Sequence, residues 1–113
     1  MKIFERIENK IAVIAIEGKL MGDPDTPKVH ERVKQLTTSG IHHVIIDLKS
    51  LEWLNSAGLG ILIASMTTAK RAGGDLILAN VHGKAHELIG MTHLDQVFTS
   101  FDSVEEALAA LRN

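Results

Sequence analysis

Apolar and polar positions along this chain follow two rhythms in turn. Residues 2–7 and 10–17 are short stretches rich in Ile and Val, the second reading KIAVIAIE, and the turn-type pair Glu8–Asn9 lies between them. They predict a β-hairpin that ends at Gly18. GDPDTPK (22–28) then concentrates Gly, Asp and Pro, with Thr26 placed as an N-cap and Pro27 at the first helical position. From 27 to about 39, Val29, Val33 and Leu36 recur at the i, i+4, i+7 spacing of one helical face, and Ser39 and Gly40 close the helix.

HVIIDL (43–48) is a continuous apolar run entering Asp47, the pattern of a strand covered on both faces, and it predicts the centre of a sheet. Beyond WLNSAGLGIL (53–62), Leu59, Leu62, Ile63, Met66 and Ala69 return to the helical period, with Gly73 and Gly74 as a stop. DLILANV (75–81) predicts another strand, residues 83–90 a short helix and QVFTSF (96–101) a last short strand. SVEEALAAL (103–111) closes the pattern as a helix opened by Ser103 with Glu106 three positions on, the capping-box spacing. Strands alternating with helices after a hairpin predict an α/β fold. Residues 1–113 are expected to form a single domain, a mixed sheet of about four to five strands flanked by about four helices.

Composition narrows the functions this fold can serve. At 113 residues, 45% of them hydrophobic, the chain suffices for one core. The net charge is −2, and only Lys70 and Arg71 among the basic residues are adjacent, so nucleic acid is not an expected partner. Without cysteine there is neither a disulfide framework nor a thiolate metal site, which suits a reducing compartment. MKIFERIENK is too charged for a signal peptide, and no apolar run reaches about 18 residues. A cytoplasmic location with no membrane contact is therefore expected.

The chemistry concentrates at Ser56, between a buried strand and an amphipathic helix, where α/β sheets tend to meet their ligands and partners. One of Asn55 or Ser56 can cap the helix, a role that stabilises by about 1 kcal/mol. A nucleophilic Ser56 needs a G-x-S-x-G elbow, but position 54 is Leu and no following histidine is placed near it. NSAGLG has no lysine and no P-loop spacing. As a phosphoacceptor, Ser56 would place its phosphate on unpaired N–H groups at the positive end of the helix dipole.

VIIDLKSLEWLNSAGLGILI resembles the signature of STAS domains, the family of anti-sigma factor antagonists and sulfate-transporter tails: an apolar strand ending in Asp-Leu, a short loop, then [Asp/Ile/Asn]-Ser-[Ser/Ala]-Gly-Leu-Gly opening a helix. IAVIAIEGKL is similar to the family's second strand, and MTHLDQVFTSFDSVEEALAAL to its closing segment, so the likeness covers nearly the whole chain as a single STAS-type domain. The resemblance implies a standalone antagonist in a partner-switching system. In that system the unmodified domain binds an anti-sigma factor that is also a serine kinase, which frees the sigma factor. Phosphorylation of the motif serine with the kinase's ATP breaks the complex, and a metal-dependent serine phosphatase restores it.

Carried onto this sequence, Ser56 is the phosphoacceptor, Gly58 and Gly60 keep the helix start accessible, and Asp47 is the acidic strand end. Asp23, Asn55, Ser56, Ala57, Gly58, Leu59 and Gly60 form the implied partner surface. The resemblance implies no cofactor and no enzymatic activity for the chain itself. Asn55 stands where many phosphorylated members carry Asp, His93 stands where Gly is usual, and the two prolines of GDPDTPK replace a short acidic, alanine-rich loop. A STAS scaffold that is not phosphorylated, serving a signalling or lipid-transport assembly, is the alternative.

Two other features have competing explanations. His82 and His86 have the i, i+4 spacing of a metal pair, with His93 further on, but Gly83 places His82 before the helix and no HExxH motif occurs, so no metal is expected. Trp53, the sole tryptophan, fits either an exposed partner contact or burial at the sheet edge.

Overall fold

The hairpin forms as the sequence predicts, with its turn one residue later than expected, on Asn9–Lys10 rather than Glu8–Asn9. In the computed structural model, which describes residues 1–22 and 24–112, β1 (Lys2–Glu8) and β2 (Ile11–Leu20) pair antiparallel from Glu8↔Ile11 to Lys2↔Glu17. Asn9 and Lys10 between them have φ of 52° and 63°, the left-handed pair of a two-residue hairpin turn whose twist matches that of the strands.

Gly18 does not end β2. It adopts φ +98° at a bulge, beyond which Lys19 and Leu20 pair parallel with β4 (Leu51–Leu54), a strand the hydrophobic pattern did not predict. The central strands are parallel: β2 with β3 (His43–Asp47), β3 with β5 (Asp75–Ala79) and β5 with β6 (Ser100–Phe101). The order is β1-β2-β3-β5-β6, with β4 on the extension of β2. The sheet is mixed, as expected, and has six strands rather than four to five.

Four α-helices are present among the described residues: α1 (Pro27–Thr38), α2 (Ser56–Arg71), α3 (Gly83–Met91) and α4 (Val104–Arg112). Thr26 stands at the N-cap position before Pro27, as expected, but its side chain makes no capping bond. Its backbone is already helical, and its buried hydroxyl accepts from the Gly22 N–H at 2.9 Å, closing the preceding loop instead. QVFTSF is likewise not one strand. Leu94–Gln96 form a single 3₁₀ turn, Phe98 is buried in the core, and only Ser100–Phe101 pair with β5.

The two faces of the sheet are covered unequally. On one, Ala12, Ile14 and Ile16 of β2 and Val44 and Ile46 of β3 pack under Val29, Val33 and Leu36 of α1 and Leu59, Leu62, Met66 and Ala69 of α2. Each buried Val, Leu, Ile or Met side chain there contributes about 1.5–3 kcal/mol. On the other, α4 alone covers Ile11, Val13, Ile45, Ile77 and Ala79 through Val104, Ala107 and Leu108. Polar ties fasten the edges: Arg32 of α1 donates to both carboxylate oxygens of Glu5, and Arg112 of α4 to Glu8 at 2.7 Å.

Candidate functional site

Helix α2 starts where two strands end together. Leu20 closes β2, Leu54 closes β4, and α2 begins two residues after Leu54. Asn55 joins these ends with both faces of its amide. Its Oδ1 accepts from the Gly58 N–H at 2.9 Å, and its Nδ2 donates to the Met21 carbonyl at 2.8 Å. Extended backbone at φ −115° and ψ −176° makes Asn55 the N-cap, so the question left open between Asn55 and Ser56 is decided for Asn55.

Ser56 therefore occupies the first position of the helix with its hydroxyl unspent. The residue is exposed, and among the described residues no hydrogen bond of its hydroxyl is found. The Asn55 carbonyl receives the Leu59 N–H at 2.9 Å and its side chain receives that of Gly58, so the orphan donors that remain at this end belong to Ser56 and Ala57. No acidic side chain stands in the first turn to neutralise the helix dipole, and the only basic side chains in the last turn are Lys70 and Arg71. An anion on the Ser56 oxygen would meet two N–H groups and a positive dipole end, and no histidine lies in hydrogen-bonding contact to make that oxygen a nucleophile.

The residues of the implied partner surface divide by orientation. Ser56, Ala57 and Gly60 are exposed, and Asn55 is half-buried. Gly58 and Leu59 are buried: they do not present a surface but seat the helix. A Cβ on Gly58 would lie 2.0 Å from the Leu20 carbonyl oxygen, so only glycine lets α2 approach the end of β2 this closely. Asp23 lies outside the described residues.

Asp47 acts in the adjoining loop, as the end of β3. One carboxylate oxygen accepts from the Lys49 N–H at 3.1 Å and from Asn80 Nδ2 at 2.8 Å, tying the β3–β4 connection to the residue after β5. His82 contacts the same connection, with Nε2 at 3.1 Å and 2.9 Å from the Leu48 and Lys49 carbonyls, and so belongs to the packing of this loop. Among the described residues no three His, Cys, Asp or Glu side chains are gathered to hold a metal ion, and no helix is long and apolar enough to cross a membrane.

Trp53 is 44% exposed on β4, with the Lys84 ammonium 5.0 Å from its ring centroid. This settles its orientation and adds Lys84, which the sequence pattern did not single out, to the rim of the site. The role of the Met21 and Leu20 carbonyls was also hidden, since no side-chain pattern marks a backbone acceptor.

Comparison with known proteins places this geometry among relatives. The STAS domain model matches residues 3–107. The anti-sigma F factor antagonist of Paenibacillus polymyxa is 28% identical over 69 residues, 61% of this chain and 59% of that protein. The crystal structure of an anti-sigma factor antagonist from Mycobacterium paratuberculosis superposes with a TM-score of 0.84 at 22% identity, covering 99% of this chain and 94% of that one. The Bacillus cell fate determinant SpoIIAA in its phosphorylated form gives a TM-score of 0.76 at 17% identity, covering 96% and 98% of the two chains.

Proposed function

The chain belongs to the STAS domain family, and from that premise we propose that it is an anti-sigma factor antagonist whose binding is switched by phosphorylation of Ser56. The unmodified domain would bind an anti-sigma factor that doubles as a serine kinase and release the sigma factor, acting in the cytoplasm as a binding module rather than an enzyme. The observation that carries this reading is the exposed, unspent hydroxyl of Ser56 at the first position of α2, left available because Asn55 caps the helix.

In the switch, the Ser56 oxygen takes the γ-phosphoryl group of the kinase's ATP as ADP leaves and the hydroxyl proton passes to a kinase base. The phosphate adds about −1.5 to −2 charges beside exposed Ala57 and Gly60, and a surface complementary to the neutral loop then repels or desolvates poorly. A metal-dependent phosphatase would reverse the step by hydrolysis. Asp23, Asn55, Ala57 and Gly60 are proposed to line the contact, with Gly58 and Leu59 supporting it from beneath.

Peptide mass spectrometry on protein from its native host is expected to find phosphate on the peptide containing Ser56. Ser56→Asp should retain the thermal melting point within about 2 °C, because exposed positions rarely matter to stability, and should lose binding to the anti-sigma factor. Absence of phosphate across growth conditions, together with full function of Ser56→Ala in the cell, would establish the unphosphorylated scaffold instead.

A further inference from the structure

Strand β1 is the open edge of the sheet: among the described residues it pairs only with β2. Its free side can be deduced from the hairpin. The residues flanking a two-residue turn, Glu8 and Ile11, exchange both backbone hydrogen bonds, and the antiparallel alternation then turns the N–H and C=O groups of Arg6, Phe4 and Lys2 toward β2. Those of Ile3, Glu5 and Ile7 point outward. The same strand carries two of the molecule's exposed large apolar side chains, Phe4 (55% exposed) and Ile7 (52%).

An unpaired edge of this kind is ordinarily blunted by charge, and β1 does carry Lys2, Glu5, Arg6 and Glu8. Their order has another property. KIFERIE laid antiparallel against itself about Glu5 sets Lys2 opposite Glu8, Ile3 opposite Ile7 and Phe4 opposite Arg6. Each is a favourable cross-strand pair: opposite charges, two aliphatics, and a guanidinium beside an aromatic ring.

The backbone selects the same register independently. Only pairing about Glu5 lets all three outward-facing residues form hydrogen-bonded pairs, Glu5 with its equivalent and Ile3 with Ile7 twice. The one like-charge pair, Glu5 against Glu5, is compensated within each copy, because Arg32 already holds both oxygens of the carboxylate. Lys2, Phe4, Arg6 and Glu8 fall on the α4 face, the thinly covered one, and there they meet as non-hydrogen-bonded pairs, in which side chains approach closest.

We propose that β1 is an interface for a second copy of this chain, joined edge to edge about a two-fold axis at Glu5 into one continuous sheet. The contact is isologous, as a two-fold dimer requires, and small, so the dimer forms reversibly. It uses neither Ser56 nor its loop.

Sedimentation equilibrium of the intact chain tests it. The weight-average mass is expected to rise from monomer toward dimer by about 100 μM, in the range of small transient interfaces. Lys2→Glu and Glu8→Lys each place like charges opposite one another twice per dimer and should weaken association about tenfold or more. The double variant restores opposite charges in swapped order and should recover to within about threefold of the parent. Because Glu8 also holds Arg112, the recovery in the double variant is the decisive arm. Ile7→Pro removes an outward N–H without touching the pairing with β2, so it should stay folded by thermal melt and remain monomeric. A parent protein monomeric throughout this range, single variants that associate normally, or a double variant no better than the singles would each overturn the proposal.

Discussion

Two serines stand at helix starts in this molecule, and the residue that caps each helix determines what its serine is left to do. At α4 the Ser103 hydroxyl accepts from the Glu106 N–H at 3.1 Å, while the Glu106 carboxylate accepts from the Asp102 N–H at 3.2 Å. That is the capping box legible in the sequence, with its return bond shifted one residue toward the N-terminus. At α2 the capping oxygen comes from Asn55, one residue earlier, and the serine hydroxyl is spared. The first turn of α4 is acidic, with Glu105 and Glu106, and that of α2 has no acid. A phosphate would face like charges and displace a cap at Ser103. At Ser56 it would face unpaired donors. Similar residues in similar places thus differ in availability by a shift of one position.

The largest effect expected of any change to this contrast is on the seating of α2. Gly58→Ala drives a methyl into the Leu20 carbonyl, so the helix start must move or the strand end must give. A loss of about 2–4 kcal/mol in unfolding free energy is expected by urea denaturation. A loss below about 0.5 kcal/mol would show that the start of α2 is loosely held.

Next come the caps themselves. Asn55→Ala and Ser103→Ala should each cost about 1 kcal/mol, Asn55→Ala the more because it also releases the Met21 carbonyl, whereas Ser56→Ala should stay within about 0.5 kcal/mol. Equal costs for Ser56→Ala and Ser103→Ala in the same denaturation series would erase the distinction between a structural serine and an available one.

The smallest effect expected concerns pH and, of the two helices compared, bears only on α2. His30 of α1 places Nε2 2.8 Å from the Thr68 hydroxyl of α2, and burial, with Lys34 nearby, holds its pKa below the ordinary 6.5. The unfolded chain therefore takes up the proton first as pH falls. Stability from this contact is complete above about pH 6.5 and declines as pH drops from there through the folded-state value. Thermal melts between pH 7.5 and 5 should show a decline that His30→Gln removes, while Ser103→Ala leaves it in place.

What the sequence made legible follows from the range of the forces involved. The hairpin, the buried strand at 43–47, α2 and the capping box at Ser103 are recorded in local period and short-range capping, and they formed where expected, the hairpin turn within one residue. β4 was missed because Leu51–Leu54 is four residues long, with its two inner positions exposed, and exists only through pairing with an extension of β2 beyond Gly18. QVFTSF misled because an apolar run marks burial without specifying the backbone: Phe98 is buried from a turn. Thr26 had a capping residue's chemistry, but the Gly22 N–H claimed its hydroxyl first. Ser56 was identifiable from its motif. Its availability was not, since that depends on which of two adjacent side chains reaches the Gly58 N–H.

Trp53 has a practical consequence of an optical kind. The chain contains a single tryptophan and no tyrosine, so its ultraviolet emission above the weak phenylalanine band comes from one indole. That ring sits at the solvent boundary three residues before Ser56, under the ammonium of Lys84. The protein thus carries a native fluorophore at the rim of the proposed switch. A docking partner or a new charge there can be followed by colour and intensity without attaching a dye.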